Sequence, residues 1–198
     1  MSATPRWFSQ HPQGHAEWYV ERFRGMAAEG ADLVGEARLI DAIAAPGSRI
    51  LDAGCGPGRV GAELHARGHT VVGVDVDPVL IAAAGHDHPG PRWLVGDLSE
   101  FDLTDERPFD AAVMAGNVIV FVAPETEGRV LTRVGAHLRP DGVLVVGFGL
   151  DRGYPLSEFD MHCEQAGFVA EHRFATWDLR PWQAGAQFAV TVLRKPPG

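Results

Sequence analysis

The sequence predicts an α/β protein built on a doubly wound, mostly parallel sheet. Three observations carry that expectation. Short β-branched runs alternate with segments of helical spacing from Arg49 onward. One of those runs, Arg49 to Ala53, breaks into a glycine-rich turn and resumes as a helix. Gly54, Asp75, Asp97 and Asn117 each follow a predicted strand. Right-handed crossovers bring such strand ends to one edge, where open α/β sheets bind ligands. The length of 198 residues suits one domain. Residues 1–45 read as a helical extension or lid, and 46–198 as the core.

The elements follow in order. Residues 1 to 15 hold Pro, Gln and His beside Trp7 and Phe8, and read as a loosely structured arm. Tyr19, Phe23 and Met26 recur at helical spacing over Ala16 to Ala28, and Gly30 ends that pattern. Leu39, Ile40 and Ile43 form the apolar face of a second helix over Leu33 to Ala44, closed by Pro46-Gly47. The first strand and the glycine turn lead into a helix over Arg59 to Arg67. Thr70 to Val74 is a strand ending at Asp75. Asp77-Pro78 then places a capping acid and a proline at a helix start. Arg92 to Val95 and Phe109 to Met114 are further strands, separated by an irregular polar span. A helix over Glu125 to Leu138, a turn at Pro140-Asp141-Gly142 and a strand over Val143 to Phe148 follow. Leu156 to Ala166 is the last helix. Phe168 to Thr176 and Gln187 to Leu193 are a closing pair of strands.

Bulk composition narrows the function classes. The formal net charge of −9 argues against a nucleic-acid backbone as partner. No apolar run reaches membrane-spanning length, and the N-terminus does not read as a secretory signal. Cys55 and Cys163 are far apart in sequence and form no C-x-x-C pair. The expectation is a reduced, cytoplasmic protein without membrane or nucleic-acid partners; its oligomeric state is left open. The nine histidines show no metal-ligand spacing, and His65, His69, His137 and His162 read as helix or turn surface.

The chemistry concentrates in Leu51-Asp52-Ala53-Gly54-Cys55-Gly56-Pro57-Gly58. Glycines allow a sharp turn and a close ligand approach at a helix N-terminus. No Gly-Lys-Ser/Thr follows, so a P-loop is excluded. The dinucleotide pattern G-x-G-x-x-G would need a third glycine where Arg59 stands. Asp75, 17 residues beyond Gly58, is suited to accept hydrogen bonds from a ribose diol.

This stretch resembles the first motif of class I S-adenosylmethionine-dependent methyltransferases. Phe109-Asp110-Ala111-Ala112-Val113 and Leu138-Arg139-Pro140-Asp141-Gly142-Val143-Leu144 extend the resemblance, which runs from about Arg49 to Leu193. It implies a Rossmann-like, seven-stranded sheet with an antiparallel final strand, and S-adenosylmethionine as cofactor. It also implies roles. Asp97 would accept from the adenine amino group, and the Leu98 N–H would meet a ring nitrogen. Asp52 would face the methionine ammonium. Ala53, Gly54, Cys55, Gly56, Gly58, Asp75 and Val76 complete the cofactor set, with Ala115, Gly116 and Asn117 after strand four. No Asn-Pro-Pro-Tyr type of motif follows that strand.

The implied activity is methyl transfer to a small-molecule acceptor by in-line displacement. The sulfonium already activates the methyl group, so no general base is expected in the sequence. Three segments are expected to meet at the acceptor: Asn117; the loop with Arg152 and Tyr154; and Trp177, Arg180 and Trp182. Trp18, Tyr19 and Arg22 would close over them, and an arginine would hold a polar or anionic acceptor group. Two other readings stay open at this point: an NAD-dependent oxidoreductase, and a protein that binds S-adenosylmethionine without catalysis.

Overall fold

The structure, a computed structural model, describes residues 3–197. Its centre is one seven-stranded sheet in the order β3-β2-β1-β4-β5-β7-β6. The strands are β1 (Arg49–Ala53), β2 (Thr70–Asp75), β3 (Arg92–Val95), β4 (Phe109–Met114), β5 (Leu138–Gly149), β6 (Val169–Phe174) and β7 (Phe188–Arg194). β1 to β5 pair in parallel, while β7 is antiparallel to both β5 and β6. The chain winds outward from β1 to β3, then returns to begin the other half at β4. The strand order therefore reverses between β1 and β4.

Among the described residues, eight helices accompany the sheet: α1 (Arg6–Ser9), α2 (His15–Ala28), α3 (Gly35–Ile43), α4 (Arg59–Ala66), α5 (Pro78–Asp87), α6 (Val118–Phe121), α7 (Glu127–His137) and α8 (Leu156–Gln165). Because side chains alternate along a strand, Ile50 and Leu51 enter opposite layers. Leu51, Met114, Leu144 and Phe148 pack against Leu131 of α7 and Phe159 of α8. Ile50, Val113 and Val145 pack against Ile40 of α3 and Leu64 of α4. Each such large side chain contributes about 1.5–3 kcal/mol when buried. A smaller cluster joins Ala16 and Val20 of α2 to Leu80 of α5.

Several expectations shift. The arm is partly ordered: Arg6–Ser9 form the short helix α1, residues on either side of it stay irregular, and the segment docks on the body of the protein, with the Arg6 amide donating to Val122 O at 3.3 Å. The turn Pro140-Asp141-Gly142 is drawn into β5. There Phe109 pairs with Leu138 and Ala111 with Val143, so the extra residues bulge out of the ladder. The Asp141 and Lys195 amides, donating to Lys195 O and Gly142 O at 2.9 Å, tie the bulge to the chain's last described segment. α6 was not anticipated. His69 and His137 are buried rather than on the surface. His137 Nε2 accepts from the Leu103 amide at 2.8 Å, which fixes the irregular span before β4.

One indole organises the glycine side of the sheet. The Trp93 ring of β3 lies where side chains on Gly58, Gly61 and Gly73 would have to stand, within 2.4–3.0 Å of the nearest hypothetical Cβ at each. Its Nε1–H donates to His88 O at 3.0 Å.

Candidate cofactor and active site

At the reversal between β1 and β4 the strand ends diverge and leave a cleft of about 870 Å³, counted out to its open mouth. The floor is the turn after β1. Gly54, Gly56 and Gly58 hold φ of 79°, 54° and 86° there, the left-handed region that glycine enters without strain. A Cβ on Gly54 would lie 2.4 Å from the Val118 methyls, so the turn and α6 pack too closely for any side chain. Gly58 then serves as N-cap of α4 without a side-chain cap.

Carboxylates surround this floor. Asp75, at the end of β2, accepts from the Gly56 amide at 2.8 Å and from the Asp77 amide at 2.9 Å. Burial pushes its carboxyl up to about 6, against the pull of those amides. Asp52 is 2% exposed and accepts from the Gly61 amide through Oδ2 at 2.8 Å. Burial lifts it to about 7, and the Gly61 amide and the Arg59 charge offset part of that rise. Asp97 and Leu98 line the far end, and the Ser99 amide donates to Asp97 Oδ1 at 2.8 Å. Gly54, Cys55, Gly56, Val76, Ala115 and Gly116 also face the cleft. Burial raises the Cys55 thiol well above its ordinary range. That keeps it protonated and makes it a packing group rather than a nucleophile.

The lid side is aromatic. Tyr19 of α2 reaches from the glycine turn to the end of β4: Cβ atoms on Gly56 and on Gly116 would each lie 3.9 Å from its ring or hydroxyl. Phe23 meets Tyr19 edge-on with centroids 4.9 Å apart. Trp7 and Phe121 complete the wall. Trp7, Phe23 and Phe121 were missing from the expected site. For Trp7 and Phe23 the only signal in the sequence is an aromatic cluster ahead of a glycine-rich turn, and Phe121, after β4, carries none.

Arg59 is the one arginine along the cleft, and it is engaged. Its guanidinium donates to both Glu36 oxygens at 2.6 and 2.8 Å and to Leu33 O, and it stacks over Phe23 at 5.4 Å. These contacts raise Arg59 against its burial.

The other residues expected at the acceptor do not line the cleft. Asn117 holds φ 66° and turns its Oδ1 to the Gly149 amide at 2.7 Å, joining the ends of β4 and β5. Tyr154 is in the core, 4% exposed, packed on Phe148 and Phe159, with its hydroxyl 2.8 Å from His162 Nδ1. Trp177 covers Gly147 of β5 and joins the Ile50 layer. Trp182 lies under the Arg173 guanidinium at 5.8 Å. Arg152 is exposed. Arg180 pairs with Asp178 at 3.3 Å on the surface. On α2, Trp18 is 54% exposed and stacks with Arg22 at 5.5 Å, while Tyr19 alone of that trio faces inward.

Comparison with known proteins agrees with this geometry. The methyltransferase domain family matches residues 50–142, the span from β1 into β5. A TehB-like S-adenosylmethionine-dependent methyltransferase of known structure from Corynebacterium glutamicum is 45% identical. It superposes with a TM-score of 0.88 over 93% of this chain and 100% of its own. This chain is a class I S-adenosylmethionine-dependent methyltransferase family member. Among curated relatives of that family, the magnesium-protoporphyrin O-methyltransferase of Rhodobacter capsulatus is 36% identical over 61% of this chain and 54% of its own length. The ubiquinone biosynthesis O-methyltransferase of Azorhizobium caulinodans is 36% identical over 50% of this chain and 40% of its own. The chain thus spans about half, or less, of the length of these curated relatives.

The family's cofactor suits what the cleft offers. The glycine turn leaves room where side chains would stand. Asp75 and Asp97 are acceptors 22 positions apart in sequence at the ends of adjacent strands. Asp52 lines the cleft as a buried anion-forming group suited to a cation. Among the described residues, no helix is long and apolar enough to cross a membrane, and no group of three or more His, Cys, Asp or Glu could hold a metal ion.

Proposed function

We propose that the protein transfers a methyl group from S-adenosylmethionine to a small-molecule acceptor bound under the aromatic wall of Tyr19, Trp7 and Phe121. The observation that carries this reading is the convergence of that wall with the glycine turn, Asp75 and Asp97 in one cleft. In it, Asp75 accepts from the ribose hydroxyls. Asp97 and the Leu98 amide hold the adenine, and Asp52 faces the methionine ammonium. The cofactor supplies a methyl group already activated by a sulfonium. The protein's own task is to hold the acceptor in line and exclude water. Such positioning is worth up to ~7–11 kcal/mol in favourable cases. The wall does both: it is apolar, and the Tyr19 hydroxyl stands at its inner end.

The acceptor we favour carries no anionic group. Asp52, Asp75 and Asp97 line the cleft, and its one arginine is paired with Glu36. The two cysteines are free and buried, in keeping with a reducing, cytoplasmic setting. The formal charge of −9 supports a reading without nucleic-acid partners.

Calorimetry with S-adenosylmethionine, S-adenosylhomocysteine and NAD tests the cofactor. Micromolar-range binding, about −8 kcal/mol, is expected for the first two and none for NAD. Incubation with labelled S-adenosylmethionine and a small-molecule cell extract tests the activity. Binding without any labelled product would leave a non-catalytic cofactor-binding protein.

A further inference from the structure

The arm ahead of α2 crosses the mouth of the cleft and is fastened at both lips. On the α6–α7 side, the Arg6 amide donates to Val122 O at 3.3 Å and its guanidinium to Glu127 Oε1 at 2.6 Å. On the β2–α5 side, Trp7 Nε1–H donates to Asp77 Oδ2 at 2.7 Å. Pro5 and Trp7 line the same cleft as Asp75 and Asp97.

Asp77 is more than a surface acceptor. It is 4% exposed, and its other oxygen caps α5 by accepting from the Val79 amide at 2.8 Å. Its own amide donates to Asp75 Oδ1 at 2.9 Å. The turn that carries the ribose-binding carboxylate therefore also carries the anchor of Trp7.

The attachment is slight. α1 buries no residue and has no side-chain cap. Beyond the polar bonds above and a second Arg6 bond to Val122 O at 3.4 Å, the strap is held by Trp7, edge-on to Tyr19 at 5.6 Å and to Phe121 at 6.1 Å and packed on the Ala16, Val20 and Leu80 cluster, and by His11 against Phe121 at 5.2 Å. Segments fastened by so few contacts open far more readily than the fold as a whole.

We propose that residues 3–14 are the door of the cofactor site and Trp7 its latch on Asp77. The strap lifts to admit S-adenosylmethionine and to release S-adenosylhomocysteine, and it closes between those events. The inference rests on the cofactor reading above. A latched door slows both entry and exit, because only the open fraction exchanges ligand. Weakening the latch therefore raises both rates, whereas damage to the binding groups raises the exit rate alone.

Two conservative variants separate those cases. Trp7→Phe keeps a ring but removes the donor. Asp77→Asn keeps an oxygen for the α5 cap but turns an N–H donor toward Trp7. Surface plasmon resonance with S-adenosylhomocysteine reads both rates. Each variant is expected to bind and release about tenfold faster, with Kd changed by less than about threefold. Hydrogen exchange on the parent chain should show residues 3–14 slowed by S-adenosylhomocysteine. Rates within about twofold of the parent in both variants would overturn the latch while leaving the cofactor reading intact. No binding by the parent would remove the cofactor reading, and the door with it.

Discussion

The two halves of the sheet treat their strand ends differently. In the half from β3 to β1, the residues just past the strands turn inward and share one cleft: Gly54, Gly56, Asp75 and Asp97. In the half from β5 to β6, the matching loops close onto the sheet itself. Tyr154 packs on Phe148 and Trp177 covers Gly147, while Asn117, reaching over from the end of β4, accepts from the Gly149 amide. The reason is topological. The order reverses between β1 and β4, and only at a reversal do neighbouring loops leave in opposite directions and open a crevice.

The sharpest break of this contrast is at Gly54. Gly54→Ala meets Val118 and a left-handed backbone together, and should cost about 2–4 kcal/mol in urea unfolding, with cofactor binding lost. Gly153 has a similar φ of 77° in the other half, but nothing lies within 4 Å of its Cβ. Gly153→Ala should cost about 1 kcal/mol and spare binding.

Asp75→Ala comes next. If Asp75 holds the ribose as proposed, the change removes two charge-assisted hydrogen bonds, each worth about 1.5–3 kcal/mol, and S-adenosylhomocysteine affinity should fall at least ~100-fold. Arg180→Ala, in the far half, should leave calorimetric affinity unchanged. Equal losses would erase the distinction between the halves.

A third expectation concerns pH. Asp52 and Asp75 titrate near 7 and 6 in the fold, above their ordinary range. The folded chain then binds more protons than the unfolded chain, so their contribution to stability is present below about pH 4 and is lost as pH rises toward 7. Asp52→Asn should therefore gain more unfolding free energy relative to the parent at pH 8 than at pH 5, by ~1–4 kcal/mol in urea unfolding. Cofactor binding should release protons between pH 6 and 8, because the incoming cation favours ionised Asp52. Calorimetry in buffers of different ionisation enthalpy reads that release.

The smallest effect is expected at Tyr154. Tyr154→Phe deletes the bond to His162 and should cost about 1 kcal/mol of stability without changing cofactor affinity.

Much of the near half was legible in the sequence because its signals are local. The left-handed turn needs glycine at 54, 56 and 58, Asp75 is the last residue of β2, and Asp97 stands two residues past β3. The far half misled for the same reason: Tyr154, Trp177 and Arg180 also follow strands, but sequence position does not reveal which way a loop folds. The wall was the hardest part. Trp7 meets Asp77 and Arg6 meets Glu127 across 70 and 121 positions, and no local pattern announces such pairs. His137 shows the limit for single residues, since a helical histidine reads as surface until its partner Leu103 is placed.

The Trp93 indole has a consequence for how this sequence can drift. One ring fills space that would otherwise hold side chains from the turn after β1, from α4 and from β2. Positions 61, 73 and 93 are therefore tied as a set. In relatives where position 93 has shrunk, the ring's clash at 61 and 73 is relieved, and Asp52 Oδ2 at 3.0 Å and Cys55 Sγ at 2.9 Å become the remaining neighbours of a Cβ at 61 and 73. Where the indole is kept, those two positions stay glycine. Position 58 keeps glycine in either case, since its φ of 86° and the Ala84 methyl forbid a side chain independently of the ring.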